Sequence, residues 1–163
     1  GDKMSGMIVE AKSKQKPLKI IKNFDKPQEN SIGFFWDIIT QLIGFDSLEE
    51  AYKTMGLAPY GKPVYDLSKV LKINKGVPFL NKNYLNDQWR FVSFHSLEPR
   101  ISKKLSEDLN FIKRIPGDLI RKEDKNMAAS AQNHLEKIVL ELVEFFKIVL
   151  NNVVLFLLKA LVR

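Results

Sequence analysis

The chain has 163 residues, 45% of them hydrophobic, 28% charged and 10% aromatic, which is enough apolar material for one domain with a core, little for two, and too much for a disordered segment. It contains no cysteine, which excludes a disulfide framework, a thiolate metal site and a cysteine nucleophile and fits a reducing, cytoplasmic setting. The net charge of +7 raises nucleic-acid binding, but the excess is scattered lysine without an arginine-rich helix, so it reads as a basic soluble surface with no nucleic-acid partner.

The chain opens at Gly1-Asp2-Lys3 without a charged and apolar leader, and reads as the interior of a longer protein. Met7-Ile8-Val9 and Leu18 to Ile21 flank a polar run from Lys12 to Lys16 and predict two antiparallel strands. Ser31 to Phe45 predicts a helix, with Phe35, Ile38, Ile39 and Leu42 at helical spacing, Ser31 as its cap and Gly44 closing it. Ser47-Leu48-Glu49-Glu50 has the form of a capping box in which Glu50 reaches back to the Ser47 amide. The short helix that follows is expected to end near Met55-Gly56, where glycine accepts a left-handed cap, leaving Leu57 to Gly61 as a loop around Pro59.

From Val70 to Phe94 the pattern is extended, with a turn at Asn74-Lys75-Gly76 and a further strand containing Trp89, Phe91 and Val92. Ser96 opens a predicted helix striped by Leu97, Ile101, Leu105 and Leu109, which Arg114 to Asp118 breaks. The last helix is predicted from about Asp124 to the end, with Ala131, Leu135, Ile138, Leu142, Phe146, Val149 and Val153 on one face. After Lys147 it becomes apolar nearly all round, so residues 148–163 read as a separate helical tail and a self-association surface. Its run from Ile148 to Leu158 falls short of the roughly 20 residues that span a bilayer.

Chemistry-bearing residues are sparse. His95 and His134 have no second histidine at chelating spacing, and there is neither a Gly-rich phosphate loop nor a nucleophile elbow, so no metal site is assigned. Asp2, just before the first strand, is placed to face a ligand or to start a turn. The stretch Ala51-Tyr52-Lys53-Thr54-Met55-Gly56-Leu57-Ala58-Pro59-Tyr60-Gly61 is the most informative: a short helix running into a glycine-containing turn lets backbone approach a ligand, and a lysine suits phosphate or carbamoyl oxygens.

That stretch resembles the GEYKVMGLAPYG-like sequence of the ATP-dependent O-carbamoyltransferases of antibiotic and nodulation-factor biosynthesis. Gly1-Asp2 resembles the end of the family's DGxGD element, Ser31 to Phe45 its SLGLFYSAxTxYLGF helix, and Arg114 to Asp118 with Ala128 to Gln132 its RxPGDP and AASAQ stretches. The order is the same, and the coverage is most of the chain up to Lys147. The resemblance implies an α/β fold: part of an actin-like, ribonuclease-H-related ATPase domain over residues 1–147, with antiparallel strands, several helices and a long C-terminal helix.

For the complete enzyme it implies ATP and iron as cofactors and transfer of a carbamoyl group from carbamoyl phosphate, by way of carbamoyladenylate, to a hydroxyl-bearing acceptor. Asp2, Glu50, Lys53, Gly56 and Gly61 are the nucleotide-binding candidates it marks. Glu50-Ala51 stands where the family has Gly-Glu, which turns the acid by about 100° on a helix. The iron-binding histidine pair belongs upstream of Gly1 and the GGVALN loop after the long helix, so the chain is expected to be a fragment inactive alone. The rival reading is a helical interaction or membrane-surface module that docks through its apolar end.

Overall fold

The computed structural model describes residues 5–10, 18–26, 29–46, 49–86, 101–150 and 155–156. The architecture is α/β, with two small antiparallel sheets packed among helices. Strand β1 (Gly6–Glu10) pairs antiparallel with β2 (Lys19–Phe24), as the flanking β-branched residues predict, with a register irregularity between Ile8 and Val9. The polar run from Lys12 to Lys16 lies outside the described residues.

Helix α1 (Ile32–Leu42) starts where Ser31 Oγ accepts from the Phe34 amide at 3.0 Å. It ends in a Schellman motif: Gly44 takes φ +77°, its amide donates to Gln41 at 3.1 Å, and the Phe45 amide donates to Thr40 at 3.1 Å. Phe35, Ile38, Ile39 and Leu42 are fully buried and supply the centre of the core.

Helix α2 (Ala51–Leu57) corrects the expected stop at Gly56. Gly56 is helical, and the chain runs on through a 3-10 turn (Ala58–Tyr60) that holds Pro59 in its first turn, where a missing amide costs nothing. Of the expected capping box, Ser47 lies outside the described residues; Glu50 Oε2 accepts from the Asp46 amide at 2.9 Å.

Strands β3 (Leu71–Asn74) and β4 (Val77–Leu80) form a hairpin. Its two-residue turn puts Lys75 at φ +49° and Gly76 at φ +73°, the mirror-image geometry that matches strand twist. Trp89, Phe91, Val92, Ser96 and Leu97 lie outside the described residues. Ile101, expected on a helix, instead forms a β-bridge with Leu85; α3 is only Lys103–Asp108. Asn110, at φ +47°, does for α3 what Gly44 does for α1, with the Phe111 amide donating to Ser106 at 2.9 Å.

Helix α4 (Lys122–Leu150) is 29 residues long and packs against α1, α2 and β3. Asp124, in its first turn, accepts from the Arg121 amide at 2.8 Å and from the Arg121 guanidinium. Ala131, Ile138, Leu142 and Phe146 are buried on the predicted face. The helix does not continue to the end: Leu155–Phe156 forms β5, antiparallel to Glu10 and Val9, so the three-stranded order is β2-β1-β5. An apolar run of this length suits strand as well as helix, and pairing with distant β1 is information that helical spacing does not carry. Among the described residues no helix is long and apolar enough to cross a membrane.

Candidate functional site

Two polar contacts seat α2 on α1. Thr54 Oγ1 donates to Thr40 Oγ1 at 2.9 Å, both residues fully buried, and Trp36 Nε1 donates to the Ala51 carbonyl at 3.3 Å. The outer face is left with Tyr52, Met55 and Gly56, where a Cβ on Gly56 would meet nothing within 4 Å.

Lys53 pairs with Glu50 one turn earlier. The hydrogen bond from Lys53 and, second, that from the Asp46 amide hold the Glu50 carboxyl below its ordinary range; Glu50 in turn pushes the Lys53 ammonium up. Lys53 Nζ lies 5.6 Å from the centroid of Phe45, and the Arg114 guanidinium lies 4.6 Å from the same ring. Arg114 is buried, and its nitrogens donate to Ile43 O at 2.7 Å, Gly44 O at 3.1 Å, Asp118 O at 2.6 Å and Ile115 O at 3.5 Å. It clamps the end of α1 to the Arg114 to Asp118 turn and leaves its charge beside Phe45.

Beyond α2 the chain from Gly61 to Tyr65 is fastened to α4. Asn126 Oδ1 accepts from the Lys62 amide at 2.8 Å. Ser130 Oγ accepts from the amides of Val64 and Tyr65, both at 3.0 Å, and donates to Asn126 O at 2.7 Å. A Cβ on Gly61 would collide with the Lys125 carbonyl, so close packing on α4 accounts for glycine there. A groove of about 470 Å³ runs between Met55, Pro59 and Gly61 on one side and Gln132, Asn133 and Glu136 on the other. It adjoins a hollow of about 300 Å³ lined by Tyr65, Asp66, His134 and Lys137. Burial pushes the Tyr65 phenol up, and the Ser68 amide holds the Asp66 carboxyl down.

Of the marked residues, Glu50 and Lys53 come together, Gly56 lies open on the same helix, and Gly61 faces the backbone of α4 instead. Asp2 lies outside the described residues. His134 Nε2 lies 2.8 Å from the Leu71 carbonyl, the structural use its isolation implies, while His95 is outside the described residues. Sequence reasoning missed Arg114 as a clamp and the pair Asn126 and Ser130; their i,i+4 spacing beside Ala128, Ala129 and Ala131 is the signal that was there to read.

Lys53 is suited to phosphate oxygens by charge and partial exposure, at 40% for its side chain. Iron is another matter. Among the described residues no group of three or more His, Cys, Asp or Glu could hold a metal ion.

Residues 6–157 match the family described as Carbamoyltransferase N-terminus. The chain belongs to that family, and the match extends past Lys147 through β5. An uncharacterized protein of Synechocystis sp., sll1178, is similar at 31% identity over 117 residues, which cover 69% of this chain. The matched stretch spans only 18% of that relative's length.

Proposed function

We propose that the chain forms one wall of the nucleotide site of an ATP-dependent O-carbamoyltransferase, as part of an actin-like domain acting in the cytoplasm. The single observation that carries the reading is the family match across residues 6–157. In support of it, the segment from Lys53 to Gly61, held by Thr40 from below and by Asn126 and Ser130 beyond its end, presents Lys53 at the surface. In this reading Lys53 meets phosphate oxygens, and the open backbone at Gly56 lets the ligand approach. In the reaction this implies, water would release phosphate from carbamoyl phosphate to leave carbamate, ATP would give that carbamate its adenylyl group with loss of pyrophosphate, and the carbamoyladenylate would pass its carbamoyl group to a hydroxyl-bearing acceptor with loss of AMP.

On this reading the chain alone does not turn over, because one wall cannot enclose a small ligand as binding sites normally do. The test is phosphate release from carbamoyl phosphate with ATP, expected at the level of a no-protein blank. Release above the blank that Lys53→Ala abolishes would show a complete site in this chain and overturn the one-wall reading.

A further inference from the structure

The ammonium that this reading aims at phosphate is not bare. Glu50 Oε1 pairs with Lys53 Nζ, and Glu50 Oε2 is anchored by the Asp46 amide at 2.9 Å, so the carboxylate is held in place from its other side. Both side chains reach solvent, at 40% exposure for Lys53 and 31% for Glu50. On the inner side stands Phe45, with the Arg114 guanidinium 4.6 Å from its centroid. Among the described residues the hydrogen bonds of Arg114 go to backbone carbonyls, and the residue is 4% exposed, so it lends charge to this corner without being placed to touch a ligand. Among the described residues, an arriving anion therefore meets at this corner the Lys53 ammonium, which already has a carboxylate on it.

We infer that Glu50 is a specificity-determining residue of this corner: an internal carboxylate that holds the anion position on Lys53 and keeps its affinity for phosphate-bearing ligands low. The inference rests on the reading of Lys53 as a phosphate contact. A ligand must displace or share the Glu50 carboxylate, and an exposed ion pair resists that only modestly, which sets the expected effect at roughly twofold to fivefold in affinity. A neutral or cationic ligand meets no such competition, so Glu50 also biases the corner against free phosphates.

Glu50→Gln tests this, because it removes the charge while keeping an oxygen that accepts from the Asp46 amide. The full chain is titrated with inorganic pyrophosphate at low ionic strength, following the backbone amide signals of residues 50–56 by NMR, a readout that every variant retains. Glu50→Gln is expected to bind roughly two to five times more tightly than the parent, with the gain absent in Glu50→Gln/Lys53→Met and in Glu49→Gln, which changes a neighbouring charge only. Lys53-dependent binding that is equal or weaker in Glu50→Gln overturns the role of Glu50 and leaves Lys53 as a phosphate contact. An equal gain in Glu49→Gln reduces the effect to net charge and overturns it too. No Lys53-dependent binding in either protein, with unchanged amide spectra, overturns both readings.

Discussion

Thr54 Oγ1 donates to Thr40 Oγ1 at 2.9 Å in a place where neither residue is exposed at all. This pair, with the Trp36 bond to the Ala51 carbonyl, pins α1 to α2, the helix that carries Lys53. Replacing one threonine with valine keeps the shape and strips the other hydroxyl of its buried partner, at a cost of about 1–3 kcal/mol, whereas replacing both removes the stranded group. Urea unfolding should find Thr40→Val/Thr54→Val less destabilised than the sum of the two single variants. Simple additivity would mean that the hydroxyls find other partners.

Ser130 holds two amides with one oxygen, so Ser130→Ala strands the Val64 and Tyr65 amides beside α4. Hydrogen exchange at those two amides should accelerate, with a loss of about 1–3 kcal/mol in stability. Gly61→Ala, which drives a methyl into the Lys125 carbonyl, should disturb the same junction more. Unchanged exchange at residues 64 and 65 would show that Ser130 does not fasten this segment.

Glu29 is 5% exposed and ion-paired with Lys82 at 2.9 Å and Lys26 at 3.2 Å. Burial pushes its carboxyl up, but the lysines outweigh burial and hold it below the ordinary 4.5. A carboxyl lowered in the folded state stabilises above its unfolded value and loses that contribution as pH falls through its folded value. Glu29→Gln should therefore cost about 1–3 kcal/mol at neutral pH, and the gap to the parent should shrink below about pH 4.5. Thermal unfolding across pH checks the sign; a gap that widens in acid contradicts it.

The pairing of β5 with β1 reverses what the apolar tail suggests for a chain ended at Lys147. That deletion removes Leu155–Phe156 and opens one edge of β1 at Val9 and Glu10. Unpaired edges invite association, so the shortened chain should show a lower urea midpoint and more scattering than the full one. A shortened chain that is more monomeric and equally stable would return the tail to the role of a free sticky helix.

The elements legible in the sequence are those governed by local signals. Ser31, Gly44 and the stripe from Phe35 to Leu42 announce α1, and Lys75-Gly76 announces the hairpin, because caps and turns act over a few residues. Gly56 misled because glycine permits a left-handed stop without requiring one, and Thr54 and Trp36 keep α2 seated past it. Ile101 and β5 were missed because their partners, Leu85 and β1, are set by tertiary pairing. The site divides the same way: the Glu50–Lys53 pair is an i,i+3 neighbour on one element, whereas Arg114 reaches Phe45 from the far side of the chain.

The reading of Lys53 to Gly61 as a nucleotide wall is tested most directly by titrating the chain with ATP and following backbone amides by NMR, with Lys53→Ala as the paired sample. Shifts should centre on residues 53–61 and saturate with a dissociation constant of about a millimolar, near −4 kcal/mol, and Lys53→Ala should weaken them. Micromolar affinity that Lys53→Ala leaves untouched, or shifts centred away from this segment, would contradict the account.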